Sequence, residues 1–126
     1  MRVLKENSQS LLDRSSGRHY KGHMSKTITG AVLWEGASLL DGAPIVVIAT
    51  GLAGGSTNSK TGAMVQTWIL RSDMEPTEAV RAGADSSICG DCPLRGVNGK
   101  ARACYVTYFQ GPLKIYRTYK RGGYPR

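Results

Sequence analysis

The chain has 126 residues and a formal charge of +8, with 17 basic against 9 acidic side chains. That length suits one hydrophobic core and is short for two, since domains usually run to ~100 to 150 residues. The longest apolar run, around Pro44-Ile45-Val46-Val47-Ile48-Ala49, falls far below the ~20 residues of a membrane span, so the charge excess predicts an anionic partner away from any bilayer.

Residues 1 to 23 hold Arg2, Lys5, Arg14, Arg18 and Lys21 against Glu6 and Asp13, with no sustained apolar periodicity. They read as a disordered leader or a non-native extension. Met24-Ser25-Lys26-Thr27 then looks like a natural beginning, and residues 24 to 126 read as a single α+β domain. The polar opening Met1 to Glu6 has no apolar signal core, which predicts a reducing, cytoplasmic setting in which thiols stay reduced.

In chain order, the β-branched and aromatic residues from Thr27 to Trp34 predict a first strand. Asp41-Gly42-Ala43-Pro44 is a turn before the apolar run Ile45 to Ala49, a second strand paired with the first. Gly51 to Gly62 is a loop, and the alternation of Met64, Gln66 and Trp68 with Val65, Thr67 and Ile69 predicts a third strand. Asp73 or Thr77 is expected to cap a short helix through Glu78 to Ala82, ending near Gly83. Pro112 opens a final helix, Leu113 to Lys120, with Gly122 as its stop and Leu113, Tyr116 and Tyr119 on its core side. The fold class is therefore α+β: a small antiparallel sheet, one or two short helices and a cysteine-containing knuckle.

The knuckle is Cys89-Gly90-Asp91-Cys92-Pro93-Leu94-Arg95, with Cys104 expected on a neighbouring strand in Ala103 to Phe109. A Cys-x-x-Cys turn lets two thiolates converge on one ion, so Cys89, Cys92 and Cys104 are candidate ligands for zinc or an iron–sulfur cluster. The only histidines, His19 and His23, lie in the leader, leaving Asp91 or water as a fourth zinc ligand. The plain alternative is reduced cysteines that pack.

Gly54 to Thr61 matches the phosphate-cradling pattern G-x-x-x-x-G-K-[ST] except that Ser59 replaces the second glycine. A strand rather than a helix is expected to follow, which argues for a loop whose Lys60 touches a phosphate backbone or solvent.

Charge is strongly polarised. From Arg95 onward there are eight basic residues and no acid, whereas residues 27 to 94 hold three basic and seven acidic ones. Tyr105, Tyr108, Phe109, Tyr116, Tyr119 and Tyr124 are interleaved with those cations. Cations that neutralise phosphates beside rings that stack on bases suit a nucleic acid. The candidate contacts are Lys60, Arg95, Lys100, Arg102, Tyr105, Lys114, Arg117, Lys120 and Arg121, and an acidic host protein would use the same charges. No paired carboxylates or catalytic histidine are visible, which points away from an ordinary hydrolase; an iron–sulfur enzyme is the enzymatic alternative.

The elements Asn58-Ser59-Lys60-Thr61-Gly62, Cys89-Gly90-Asp91-Cys92-Pro93-Leu94-Arg95-Gly96, Ala103-Cys104-Tyr105-Val106 and Tyr116-Arg117-Thr118-Tyr119-Lys120-Arg121-Gly122 together resemble a group of small uncharacterised bacteriophage proteins. The resemblance covers about residues 50 to 125 and implies a phage product acting in a bacterial cytoplasm against a host system.

Overall fold

The computed structural model describes residues 27–54, 59–60 and 62–126. The expected leader, with both histidines, lies outside the described residues, as do residues 55–58 and 61 of the glycine-rich loop.

Three strands form one antiparallel sheet in the order β1 (Gly30–Ala37), β2 (Pro44–Thr50), β3 (Gln66–Arg71). The β1–β2 turn is set by its own side chains. Gly42 takes φ 75°, and the Ala43 amide donates to Asp41 Oδ1 at 3.0 Å, so the Asp-Gly pair supplies both the left-handed step and a local acceptor. The strand register places Val32, Ile48 and Trp68 in one row and Val46 and Leu70 in the next. A bulge between Val32 and Trp34 shifts the pairing, and the Trp34 ring then lies over Gly36, where any Cβ would collide with it.

One face of this sheet is covered by a C-terminal helix, Gly111–Lys120. Val46, Ile48, Leu70 and Tyr116 are the buried core, flanked by Val32, Trp68, Ile115, Tyr119 and Tyr124. Trp68 Nε1 donates to Thr50 Oγ1 at 2.9 Å, so the indole enters the core with its polar atom satisfied. The last residues return to the outer edge of β1. The Val32 amide donates to Pro125 O at 2.8 Å, Arg126 pairs with Glu35 at 2.8 Å, and a Cβ on Gly30 would stand 2.7 Å from Tyr124. That tail covers an edge that would otherwise offer open backbone groups.

Between β3 and the last helix lie α1 (Pro76–Arg81), α2 (Ser86–Cys89) and a 3₁₀ turn (Pro93–Arg95), which makes the Gly111–Lys120 helix α3. The fold is α+β, as the residue pattern predicts, and β3 follows the glycine-rich loop where a phosphate-cradling motif needs a helix. Two local expectations change. Neither Asp73 nor Thr77 caps α1: Glu75 occupies the cap position without a side-chain bond, Thr77 lies inside the helix, and Asp73 holds Arg71. The start is set by Pro76, whose fixed φ suits the first helical turn. Residues 101–107 form no strand. The amides of Ala103 and Cys104 both donate to Leu94 O at 3.1 Å, and those of Tyr108 and Gln110 close turns on Val106 and Thr107, so none pairs with the sheet.

Candidate thiol knuckle and basic surface

The Cys89 to Cys92 segment is a hydrogen-bonded β-turn, with the Cys92 amide donating to Cys89 O at 3.2 Å. Gly90 at φ 56° and Gly96 at φ 71° make the two reversals that bring the chain round. The bonds to Leu94 O then bring the Cys104 main chain back beside the 3₁₀ turn. All three thiols are free and half-buried. Among the described residues, however, no group of three His, Cys, Asp or Glu side chains is placed to hold one metal ion.

What closes the knuckle is an ion triad. Asp85, 6% exposed, receives Arg95 Nη2 at 2.7 Å and Nε at 3.1 Å on one carboxylate oxygen, and Arg102 Nη1 at 2.9 Å on the other. Arg95 also donates to Gly90 O at 2.7 Å inside the Cys-x-x-Cys turn and to Gly83 O at 2.8 Å after α1. Arg102 stacks on Tyr108, its guanidinium carbon 5.0 Å from the ring centre. The Cys89 thiol next to this cluster is pushed up, mainly by burial and then by the Asp85 charge, against the smaller downward pull of Arg102 and Arg95.

A second polar network ties α2 to the sheet. Arg71 Nη1 donates to Ser87 Oγ at 3.0 Å, Ser87 and Ser86 hydroxyls donate to Asp41 Oδ2, and Ser38 Oγ donates to Ser87 O at 2.6 Å. The bond from Ala43, followed by that from Ser87, lowers the Asp41 carboxyl below its ordinary value.

The expected nucleic-acid contacts divide into two groups. Arg95 is buried and fully engaged, and Arg102 is largely covered, so these two are corrected from surface cations to structural ones. Arg95 gives its guanidinium to Asp85, Gly90 O and Gly83 O, and Arg102 gives Nη1 to Asp85 and to Arg95 O. Lys60, Lys100, Lys114, Arg117, Lys120 and Arg121 are exposed, and Tyr105 is 92% exposed. Lys114 and Arg117 share one stripe of α3, and Arg121, the capping residue just past its end, continues the same helical spacing. Arg117 also meets Glu75 at 3.3 Å, a solvent-exposed pair of small energetic weight. Lys120 lies to the side, over the Tyr116 and Tyr119 rings and within 3.2 Å of Ser72 O.

Asp85 is the residue that sequence reasoning missed. An isolated acid before two serines has the look of a helix cap, and it makes no capping bond. Only the return of Arg102 across Gly96 reveals its role. No family model, curated protein or solved structure matches the chain.

Proposed function

We propose that this protein contacts a nucleic acid through the basic stripe of α3, with Lys100 in the same acid-free segment and Tyr105 as an exposed stacking ring. The carrying observation is the α3 stripe of Lys114, Arg117 and Arg121 within a stretch, from Arg95 to the end, that contains no acidic residue. Cations in a row track a phosphate backbone, and a nearly bare tyrosine face is tolerated in water and useful against an unstacked base. The bacteriophage resemblance extends this reading to a bacterial cytoplasm and a host system as the setting.

The test is anisotropy titration of labelled single-stranded DNA and RNA across a salt series. Binding is expected to weaken as salt rises, and Lys114→Ala/Arg121→Ala together should flatten the log–log slope by about 0.7 per lost contact. Affinity that ignores salt would sink the proposal. Retention of a bacterial protein after nuclease treatment, without oligonucleotide binding, would replace it with an acidic host protein as partner.

A second reading, zinc or an iron–sulfur cluster on Cys89, Cys92 and Cys104, is favoured by the β-turn that makes Cys89 and Cys92 its two corners and by the tie from Cys104 to Leu94. Binding requires deprotonation of Cys89 against its raised pKa. Metal content of anaerobically purified protein decides it: less than one equivalent of zinc and iron combined removes the site.

A further inference from the structure

The sheet has one covered edge and one open edge. Pro125 takes the outer side of β1, whereas β3 has a strand neighbour only in β2, and among the described residues no backbone hydrogen bond leads from β3 to any other segment. Residues 103 to 108 pass nearby, with the amides of Ala103 and Cys104 given to Leu94 O and that of Tyr108 to Val106 O. Between β3, α1, α2, that strap and the start of α3 lies a cavity of about 110 Å³, its apolar lining including Ile69 and Leu70 of β3, Ala79 and Val80 of α1, Ile88 of α2 and Val106 of the strap. Apolar cavities of roughly 150 Å³ accept a benzene-sized guest, so this one suits a single branched aliphatic side chain.

The same cavity is bordered by Arg71, which Asp73 neutralises, and by Arg102, which shares the one carboxylate of Asp85 with Arg95, so the Arg95–Asp85–Arg102 cluster carries one net positive charge. Arg102 gives Nη1 to Asp85, but among the described residues its buried Nε has no acceptor. A buried donor without an acceptor is an uncommon and unfavourable feature that a ligand oxygen would relieve.

We propose that the β3 edge and this cavity form a docking site for an extended peptide strand that carries a branched aliphatic side chain next to a carboxylate. The strand adds to β3 through main-chain hydrogen bonds, the aliphatic group fills the cavity, and the carboxylate meets the excess positive charge at Arg102. Open edge, flanking pocket and charge are the three parts of recognition by strand addition. The site is separate from the α3 stripe and does not depend on nucleic-acid binding.

The test uses the full-length protein and synthetic peptides of a Thr/Val background, with Val, Ile or Leu at the centre followed by Asp or by Asn. Amide chemical shifts follow the protein. Central aliphatic peptides with Asp should move the amides of Trp68 to Arg71, the Asn versions should bind about tenfold more weakly, and main-chain N-methylation should abolish the effect. Val106→Trp, at a position 44% exposed and therefore tolerant of a larger ring, should fill the cavity and remove binding with the melting temperature unchanged. The proposal is overturned if no such peptide moves β3 amides, if N-methylated peptides bind equally, if Val106→Trp binds undiminished, or if the shifts fall on Lys114 and Arg121 and vanish with salt.

Discussion

Arg95 and Asp85, ten residues apart, face each other in the interior with both side chains more than nine-tenths covered, and two guanidinium nitrogens share one carboxylate oxygen at 2.7 and 3.1 Å. With Arg102 on the other oxygen and Arg95 also donating to Gly83 O and Gly90 O, one buried carboxylate ties the end of α1, the Cys-x-x-Cys turn and the returning chain together. The arrangement is satisfied only when complete, because a buried charge that loses its partner keeps its full desolvation cost.

Asp85→Ala is therefore expected to destabilise the fold by about 3 to 5 kcal/mol, seen as a lower urea midpoint at unchanged slope. Replacing Asp85, Arg95 and Arg102 together with Leu, Met and Met should cost less than Asp85→Ala alone, since no orphan charge remains. Equal losses for both variants would show that the triad is not the knuckle's brace.

Gly96 holds φ 71° and packs so closely that a Cβ would collide with the Arg102 main chain. Gly96→Ala should cost more than the ~1 kcal/mol of backbone strain alone, because the clash pushes Arg102 off Asp85. At Gly99, φ 77° with open space around the site, the same change should cost only the strain. Thermal melts of the two variants compare them directly; equal shifts would contradict the close approach.

The tail clamp is pH-sensitive. The bond from Arg126, followed by that from Tyr119, holds the Glu35 carboxyl below its ordinary value, while burial and then the Glu35 bond push the Tyr119 phenol up and keep it a donor. A depressed carboxylate contributes stability that is complete above its unfolded pKa of about 4.3 and is lost as pH falls through the lower folded value. Amide exchange at Val32, whose N–H is held by Pro125, should accelerate below about pH 4.3, and Glu35→Gln should remove that acid step. An exchange rate at Val32 with the same pH profile in both proteins would refute the coupling.

Burial and the Asp85 charge raise the Cys89 thiol. Alkylation of Cys89 by iodoacetamide should then lag behind a free cysteine at pH ~8.5 and catch up only at higher pH or in urea, read by peptide mass spectrometry. Immediate modification at neutral pH would mean that the thiol is neither buried nor suppressed.

Much of the architecture is readable from local chemistry. β-branched runs, the Asp41-Gly42 turn, Pro112 and Gly122 mark elements whose signals act over a few residues; β2 and α3 form where those signals fall, while β1 runs Gly30–Ala37, three residues beyond the expected Thr27 to Trp34, and β3 starts at Gln66 rather than Met64. The charge separation is equally a property of the chain, and α3 with its capping residue sets Lys114, Arg117 and Arg121 at helical spacing, all three exposed. The strand expected at Ala103 to Phe109 did not form because its apolar spacing says nothing about where its amides find acceptors, and Leu94 O took two of them.

For the candidate site the division is sharper. Composition carries the supply of basic residues and the Cys-x-x-Cys turn, both independent of distant contacts. Whether an arginine faces solvent or neutralises a buried acid is decided by partners far along the chain. Arg95 and Arg121 are the same side chain in the same acid-free segment, yet one is enclosed by Asp85, Gly90 and Gly83 and the other stands in water. Burial turns an arginine from a surface charge into a brace, and burial exists only once α1, α2 and the Gly96 reversal have been brought together.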